Sequence, residues 1–334
     1  MKLNAILAAG CAAILTLAPA QAETLRFSSF EPPNAFITAE VLTPWAKDVS
    51  EASGGEVTIQ MFPGGTMGRD PAQQIQMVEQ GVADIAWVIP GYTPGRFAEG
   101  TVGELPFLVR SSRAGSAAMW KMYEEGLFKG DYGKFKMLCI CSSPANFIGA
   151  TRPVREPGDM KGLKMRAPGP TMLSAISALG AVPVGGITAP ALAESLSRDL
   201  IQGTFLQWGV VESFRLGEVL PFYNEVPLGA TPMLVIMNQQ KYESLPPKAK
   251  AAIDQFAGEA FSERFGTSFD AYMTEARARI AEKNKPEIFT PDEAQAAVWQ
   301  QTVEVATTDW LARTPDGQKI YDAFTAALKA AGTN

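Results

Sequence analysis

The sequence predicts a two-lobed α/β fold in which mostly parallel sheets are covered by helices. Three observations support this prediction. Strand and helix patterns alternate in the first part of the chain and again in its middle. A long segment after Pro247 has helical patterning and no further proline up to Lys285. The 334 residues, 46% of them hydrophobic, are enough for two lobes rather than one.

The first part of the chain carries the first alternation. TLRFSSF (24–30) predicts a strand, and NAFITAEVLTPWAKDVSEASGG (34–55) a helix that ends at its two glycines. EVTIQMFPGG (56–65) alternates apolar and polar residues, which is typical of a strand with one buried face. DPAQQIQMVEQG (70–81) predicts a second helix and VADIAWVIPG (82–91) a third, mostly apolar strand. This β-α-β-α-β order indicates a parallel sheet with covering helices.

The middle of the chain repeats this alternation. The patterns are the strand GLKMRA, a helix from Pro170 to Gly180, the strand VPVGG, a helix from about Pro190 to Asp199, and GTFLQWGVV as a further strand. GATPMLVIMN (229–238) is a strongly hydrophobic strand, and we interpret it as a crossing back from the second lobe to the first.

The C-terminal part of the chain is helical. From Pro247 to about Lys285 the helix formers dominate, and Phe261 and Phe265 keep helical spacing. We predict one helix, long enough to span two lobes. A coiled coil is the alternative, but no sustained heptad repeat is present. Residues 290–331 predict two further helices.

The first 22 residues have the pattern of a secretory signal peptide. Lys2 precedes an apolar run, and the small-residue pattern AQA ends at Ala22, so we expect cleavage there. A membrane anchor is the alternative, but the run is short and Pro19 interrupts it. Cys11 suggests a lipoprotein, but the residues before it lack the leucine of a lipid-attachment box. No other segment approaches the roughly 20 apolar residues of a membrane span, so we expect an exported, soluble mature chain without stable membrane insertion.

Composition and charge argue against several classes of function. Without residues 1–22 the chain has 28 basic and 35 acidic residues, a net charge of −7, and no basic cluster, which argues against a nucleic-acid partner. The chain contains no histidine, which removes Ser-His-Asp and Cys-His catalysis and HExxH zinc sites. Walker loops, G-x-S-x-G elbows and CxxC pairs are also absent from the sequence.

Two cysteines, Cys139 and Cys141, remain after the expected cleavage, within the apolar pattern KMLCICSS. In a strand, such i,i+2 neighbours point the same way. A bridge between them is strained. We therefore expect two buried thiols that act as small hydrophobic side chains.

Arg166 lies where a predicted strand meets a predicted helix. In KGLKMRAPGP the alternation places Met165 on one face of the strand and Lys164 and Arg166 on the other. Pro170 suits the first turn of the following helix. Ligands of open α/β sheets bind at such strand ends, and a helix N-terminus favours anions. Arg166 is therefore a candidate anion-binding residue, and a solvated loop arginine is the alternative.

Several motifs, taken in order, resemble those of a known family. They are PWAKDVSEASGGEVTIQMFPGGTMG, QMVEQGVADIAW, PGYTPGRF, DMKGLKMRAPG and MNQQKYESLP, followed by the long helical segment. Together with the signal peptide, this ordered set resembles the extracytoplasmic solute-binding proteins of tripartite ATP-independent periplasmic (TRAP) transporters, the DctP-type family. The resemblance covers essentially the whole mature chain.

The resemblance implies a two-lobed periplasmic-binding-protein fold that closes about a hinge. Strands cross between the lobes, the sheets are of the parallel type with covering helices, and a long helix runs along both lobes. In this fold we assign residues 23–145 and 232–270 to lobe I and residues 146–231 and 271–334 to lobe II, after a signal peptide at 1–22.

The resemblance also implies which residues line the cleft between the lobes. The arginine of the family's KGLKxR strand, here Arg166, is expected to hold the substrate carboxylate by a two-pronged salt bridge. The other implied ligand-binding positions are Phe30, Trp87, Ile89, Tyr92, Asn146, Ile187, Leu206, Gln207, Trp208 and Arg96. For the aromatic residues the alternative is core packing, for Gln207 a strand cap, and for Arg96 an arginine that anchors its own loop.

These positions predict the kind of ligand. They offer one strong cation among aromatic and aliphatic side chains, which suits an apolar or aromatic monocarboxylate, including 2-oxo or 2-hydroxy acids. A C4-dicarboxylate, for which Arg96 would supply a second cation, or a sugar acid is the alternative. The resemblance implies a binding protein rather than an enzyme, with the small and large TRAP membrane subunits as partners. No metal or other cofactor is expected. A periplasmic enzyme acting on a small acid and a sensor with the same ligand are the competing classes.

Overall fold

The computed structural model describes residues 22–332, so the predicted signal peptide, apart from Ala22, lies outside the described residues. Eleven strands are present in the described range. They are β1 (Glu23–Ser28), β2 (Val57–Phe62), β3 (Ile85–Val88), β4 (Phe135–Ala145), β5 (Phe147–Ala150), β6 (Lys164–Arg166), β7 (Val182–Val184), β8 (Gly203–Leu206), β9 (Phe222–Asn224), β10 (Ala230–Asn238) and β11 (Glu287–Phe289).

Eleven α-helices alternate with these strands. They are α1 (Thr43–Ala52), α2 (Gln74–Glu79), α3 (Ser112–Glu124), α4 (Pro170–Ala178), α5 (Leu192–Ser197), α6 (Trp208–Ser213), α7 (Gln239–Ser244), α8 (Pro247–Phe256), α9 (Glu259–Asn284), α10 (Glu293–Arg313) and α11 (Gly317–Ala330). A wider, π-helical turn, Ile37–Leu42, leads directly into α1.

The first sheet has the strand order β2-β1-β3-β10-β4. β1 is parallel to β2 and β3, as the β-α-β-α-β pattern predicts, and β10 is antiparallel to both of its neighbours. Phe27 of β1 is buried and packs edge-on against Trp45 of α1, with ring centroids 6.0 Å apart, so the helix covers this face. Because β1 and β3 are parallel, the chain leaves both strands at the same edge of the sheet.

The second sheet has the order β11-β9-β5-β8-β6-β7. β6 is parallel to β7 and β8, whereas β5 is antiparallel to β8 and β9. Arg166 ends β6 and Leu206 ends β8, so these two residues also lie at one edge of their sheet. α4 begins at Pro170, as the sequence predicts for the strand-to-helix junction.

Two chain segments cross between the sheets. β4 continues into β5 through Asn146, and β9 leads to β10 through residues 225–229. The crossings are hydrogen-bonded to each other, because the Asn146 N–H donates to the Gly229 oxygen at 2.7 Å and the Leu228 N–H to the Asn146 oxygen at 2.8 Å. The fold is therefore a two-lobed α/β structure joined at this paired crossing, and the predicted fold class is confirmed.

The long C-terminal helix differs from the prediction. Instead of one helix from Pro247, the chain forms α8 and α9, separated by Ala257 and Gly258. Gly258 has a φ of +77°, a region that favours glycine, and its N–H donates to the Leu138 oxygen at 2.7 Å. α9 alone has 26 residues and contacts β4 of the first sheet and α6 beside the second. The lobe-spanning helix is therefore α9.

The predicted strand GTFLQWGVV is a strand only at Gly203–Leu206. The following residues form α6, because the Gln207 side chain caps this helix by accepting the Val210 N–H at 2.8 Å. An apolar run of this kind suits a buried strand and a buried helix equally well, so the hydrophobic pattern did not separate the two.

The two C-terminal helices form as predicted and pack on different lobes. α10 packs on α4, beside the second sheet, whereas α11 packs on α3, beside the first. The lobe boundaries given above remain a proposal. Within that proposal we would group residues 317–330 with lobe I because of their contact with α3.

The expectation of two free thiols is wrong for this structure, which joins Cys139 and Cys141 in a disulfide. Both residues lie on β4 and are fully buried. Their Cα atoms are 5.9 Å apart, inside the usual range for a disulfide, so neighbours on one face of this irregularly paired strand can be bridged.

Candidate ligand-binding site

A cavity lies between the two lobes. Both sheets and α9 contribute to its lining, because the strand ends of the two lobes face each other across it. The predicted site residues that line it are Phe30, Trp87, Ile89, Tyr92, Asn146, Arg166, Leu206 and Gln207.

Arg166 supplies the positive charge of this cavity. Its side chain is held by two contacts: Nε donates to the Ile187 main-chain oxygen at 2.7 Å, and Nη2 donates to the Tyr92 hydroxyl at 3.4 Å. The residue is 2% exposed, and no carboxylate between residues 22 and 332 forms an ion pair with it. Burial lowers the pKa of the guanidinium, which nevertheless stays protonated. A buried cation without a counter-ion is therefore directed at the cavity.

Tyr92 lies against this guanidinium, whose Cζ is 5.9 Å from the centre of the phenol ring. The hydroxyl oxygen of Tyr92 accepts hydrogen bonds from Arg166 and from the Ala189 N–H at 3.0 Å. Burial raises the pKa of the phenol, so it keeps its proton at neutral pH. Since both lone pairs are occupied, the hydroxyl can donate that proton to a bound anion.

Two amide side chains line the cavity in different ways. The Asn146 amide donates to the Gly229 oxygen at 2.9 Å and to the Thr231 hydroxyl at 3.0 Å, so the crossing segments use both of its hydrogens. The oxygen of Gln207 caps α6, whereas its Nε2 donates no hydrogen bond within the part of the chain that the structure describes. Gln207 therefore both caps a helix and keeps an amide donor for a ligand.

Aromatic rings form much of the remaining wall. Phe30 packs against Tyr92, with ring centroids 6.0 Å apart. Phe36 stacks on Tyr272 of α9 with centroids 4.0 Å apart and planes 7° from parallel, and it also lies 6.0 Å from Phe269. Such walls can hold a planar apolar ligand by stacking.

One carboxyl group also lines the cavity. Glu31 follows β1, directly after Phe30, and is 7% exposed. Burial raises the pKa of this carboxyl to about 8, an effect partly offset by the nearby Trp87 side chain. Glu31 is therefore neutral at neutral pH and adds a polar group without adding a negative charge.

Two predicted site residues lie behind the cavity wall rather than on it. Ile187 contributes its main-chain oxygen, which orients Arg166, while its side chain packs on the core. The Trp208 indole N–H donates to Glu225 at 3.2 Å, and its ring packs on Phe147 with centroids 4.6 Å apart. Ile187 therefore supports a lining residue, and neither Ile187 nor Trp208 is in the lining itself.

Arg96 is a predicted site residue that lies outside the cavity lining. Its guanidinium forms ion pairs with Glu79 and Asp131, and it does not line the cavity. The alternative of a loop-anchoring arginine therefore describes Arg96, because its charge is matched by Glu79 at the end of α2 and by Asp131.

Several lining residues are absent from the sequence-based set. Glu31 could have been found as a charged residue directly after a strand end, and Phe269 and Tyr272 share the helical spacing of Phe261 and Phe265. Phe36 carried no such signal. The remaining unpredicted lining residues are Ile37, Pro168, Ala189, Phe205, Gly209, Val210, Ser213, Phe214, Thr231 and Met233.

Two α/β lobes joined at a paired crossing, with a buried cation between them, are the architecture of an extracytoplasmic solute-binding protein. This chain belongs to the DctP family, since the model of the bacterial extracellular solute-binding proteins, family 7, matches residues 27–313. The resemblance to TRAP solute-binding proteins noted in the sequence is thereby confirmed.

Three solved structures of TRAP solute-binding proteins are similar over almost the whole chain. One, from an unidentified marine microbe, is described as specific for aromatic acids and contains 3-hydroxybenzoate; it is 30% identical, covers 94% of this chain and 100% of its own, and has a TM-score of 0.89. The Rhodoferax ferrireducens T118 protein contains copurified benzoate and is 29% identical. The match covers 92% of this chain and 98% of that protein, with a TM-score of 0.87. The Bordetella bronchiseptica protein contains (R)- and (S)-mandelate and is 26% identical. The match covers 92% of this chain and 99% of that protein, with a TM-score of 0.83.

The family and these structural neighbours are substrate-binding proteins that work with TRAP membrane subunits outside the cytoplasm. None of the helices between residues 22 and 332 combines the length and apolar composition that a membrane crossing requires. In the same range, no group of three or more acidic, cysteine or histidine side chains is arranged to hold a metal ion.

Proposed function

We propose that this protein captures an aromatic monocarboxylate in the cavity between its lobes and delivers it to a TRAP transporter. The observation that carries the proposal is the buried Arg166, whose charge is unmatched by any described carboxylate, beside a wall of aromatic rings. A ligand carboxylate would supply the missing counter-ion, and an apolar body would fill the remaining space.

The contacts of a bound carboxylate follow from the groups that still have hydrogens to donate. The guanidinium can present paired donors to the two carboxylate oxygens. The Tyr92 hydroxyl lies next to it and has a proton available, and the Gln207 amide nitrogen provides a further donor on the second lobe. Groups from both lobes would then contact one ligand, which favours the closed arrangement.

A single cation favours a monocarboxylate over a C4-dicarboxylate. Arg166 is the one basic side chain among the described lining residues, and Arg96 is occupied by its own carboxylate partners. The second carboxylate of a dicarboxylate would lose its hydration without gaining a charged partner. A sugar acid would place several hydroxyl groups against phenylalanine, leucine and methionine side chains.

Binding rather than catalysis is our inference for this cavity. A lyase or hydrolase acting through carboxylates would use a pair of acids whose pKa values are pushed apart. The described lining contains one carboxyl, Glu31. Neighbouring relatives solved with aromatic acids are themselves binding proteins, which supports the same conclusion.

The partners and location follow from family membership and from the N-terminal pattern. We infer that residues 1–22 direct export, that the mature protein begins after Ala22, and that it acts in the periplasm with one small and one large membrane subunit. Mass spectrometry of the mature N-terminus from a periplasmic fraction tests the first two points. Transport is separated from a sensory role by deleting the genes of the TRAP membrane subunits, which should abolish uptake of the ligand.

A ligand screen tests the central proposal. We expect benzoate, hydroxybenzoates and mandelate to raise the Tm of the purified mature protein, and succinate or gluconate to leave it unchanged, since ligand binding to the native state shifts the unfolding equilibrium. Isothermal titration then gives the Kd of each acid that raises the Tm. A strong preference for succinate or gluconate would overturn the monocarboxylate assignment.

A further inference from the structure

Glu31 is buried in the cavity lining and forms no ion pair within residues 22–332. Among the described residues, the Trp87 side chain is the hydrogen-bond partner of its carboxyl. The main chain at the same position is well anchored, since the Gly64 N–H donates to the Glu31 oxygen at 2.7 Å. A carboxyl can make several hydrogen bonds, so one donor leaves part of the capacity of Glu31 free for a ligand.

A second buried glutamate shows what a structural role looks like in this protein. Glu104 is also almost fully buried, and burial raises its pKa to about 8. However, its carboxyl accepts the Thr171 N–H at 2.9 Å and thereby caps the N-terminus of α4. The carboxyl of Glu104 is therefore used by a helix terminus, whereas that of Glu31 lines the cavity beside Trp87.

The Trp87 side chain places a hydrogen-bond donor beside Glu31. Hydrogen bonding from its indole N–H favours the ionised carboxyl and partly offsets the rise of the Glu31 pKa that burial causes. Both groups lie on the first lobe, at the ends of β1 and β3, whereas Arg166 belongs to the second. The cavity thus has a polar spot separate from the cation.

We propose that Glu31 recognises a hydroxyl group on the bound acid, so that the preferred ligand is a hydroxylated aromatic monocarboxylate. This inference rests on the proposed function, which places the ligand carboxylate at Arg166. The protonated carboxyl accepts the ligand O–H through its carbonyl oxygen and can donate its own O–H to the ligand oxygen. A hydroxyl matches this spot better than a second carboxylate because it brings no additional buried charge.

Titration of matched ligands on matched variants tests the role of Glu31. The ligands are benzoate, its 2-, 3- and 4-hydroxy derivatives, and mandelate; the proteins are the wild type, Glu31→Leu, Glu31→Gln and, as a control outside the cavity, Glu104→Gln. We expect the best hydroxylated acid to bind the wild type roughly tenfold more tightly than benzoate, as one buried hydrogen bond allows.

The variants separate recognition of the hydroxyl from general effects on the cavity. Glu31→Leu is expected to remove the tenfold ratio by weakening the hydroxylated acid while benzoate binds as well as before or better. Glu31→Gln keeps part of the ratio, because an amide also donates and accepts hydrogen bonds. Glu104→Gln leaves the ratio unchanged.

A pH series gives a readout that a purely structural Glu31 would not produce. Above about pH 8 the wild-type Glu31 ionises and repels the bound anion, so the affinity for benzoate falls. The other titratable or charged groups that face the cavity are Arg166 from β6, Tyr92 after β3 and Tyr272 of α9, and the raised pKa values of both tyrosines keep them neutral there. We therefore expect the Glu31→Gln variant to bind benzoate equally well across this range.

The outcomes distinguish this inference from the proposed function. If benzoate binds the wild type but no hydroxylated acid binds more tightly, or if Glu31→Leu weakens every acid by the same factor, the hydroxyl role is overturned and the monocarboxylate function stands. If no aromatic acid binds the folded wild type, the proposed function fails and this inference fails with it.

Discussion

Two arginines near the cleft have opposite environments. Arg166 is 2% exposed and contacts one main-chain oxygen and one phenol, and no described carboxylate balances its charge. The Arg96 side chain is 26% exposed and lies between Glu79 and Asp131. Burial lowers the pKa of Arg166, whereas hydrogen bonding to Glu79 contributes most to a raised pKa of Arg96. The protein itself satisfies one charge and leaves the other for a ligand.

This difference shows what makes an arginine a binding residue. Arg166 ends a strand and Arg96 follows one, so their positions in the sequence do not show which of them binds a ligand. The environment separates them, because a buried guanidinium gains much more from a carboxylate ligand when no carboxylate of the protein already occupies it. The predictions below test whether function and stability divide between the two residues in this way.

The largest effect is expected for Arg166→Ala. Removing one partner of a buried ion pair costs about 3–5 kcal/mol, so the Kd for the best acid of the screen should rise by more than roughly 100-fold. Isothermal titration measures the change, and circular dichroism confirms that the variant is folded. Arg198→Ala removes an exposed arginine that pairs with Glu194, and this control should bind like the wild type.

Arg166→Lys sharpens the same test. Lysine keeps the charge but not the planar pair of donors, so we expect affinity between that of the wild type and that of Arg166→Ala. Equal binding by all three proteins would show that Arg166 does not contact the ligand.

A smaller effect, on stability rather than binding, is expected for Arg96→Ala. The substitution leaves Glu79 and the largely buried Asp131 without this partner, which should lower the free energy of unfolding by about 1–2 kcal/mol. Urea denaturation measures the loss, and the Kd of the bound acid should change less than about twofold. Loss of binding comparable to that of Arg166→Ala would break the distinction between the two arginines.

The smallest expected effect is that of Tyr92→Phe. The phenylalanine ring keeps the packing against Phe30, but the hydroxyl that contacts Arg166 and Ala189 is lost. A single hydrogen bond is worth about 1 kcal/mol, so affinity should fall roughly fivefold, and the loss of the acceptor for the Ala189 N–H should lower the free energy of unfolding by a similar amount. An unchanged Kd would indicate that the hydroxyl only supports the protein and donates nothing to the ligand.

Much of the local structure could be predicted from the sequence because periodicity reports burial directly. The strands β1, β2 and β3 form where apolar residues alternate or run together, and α4 starts at its N-terminal proline. Arg166 could be placed at a strand end for the same reason. Periodicity does not distinguish strand from helix in the apolar run GTFLQWGVV, and it does not report the positive φ of Gly258, which interrupts an otherwise helical pattern.

The site was predicted less completely, since its residues come from separate parts of the chain. Leu206 and Gln207 lie at the end of a recognisable strand, and both line the cavity. Trp208 is the next residue, but its side chain contacts Glu225 and is not in the lining. Tyr272 lies on α9, far from the other lining residues in sequence, and contributes only because this helix crosses both lobes.

By itself, the sequence determined the fold class, the family and the presence of an arginine at the carboxyl end of a strand, because all three depend on the order and spacing of residue types. The tertiary structure decided which charges are matched. Arg96 meets two carboxylates and Arg166 meets none, while Glu104 meets a helix terminus and Glu31 does not. Those differences arise from distances between residues remote in the chain, and electrostatic and hydrogen-bond energies depend on such distances and on burial rather than on position in the sequence.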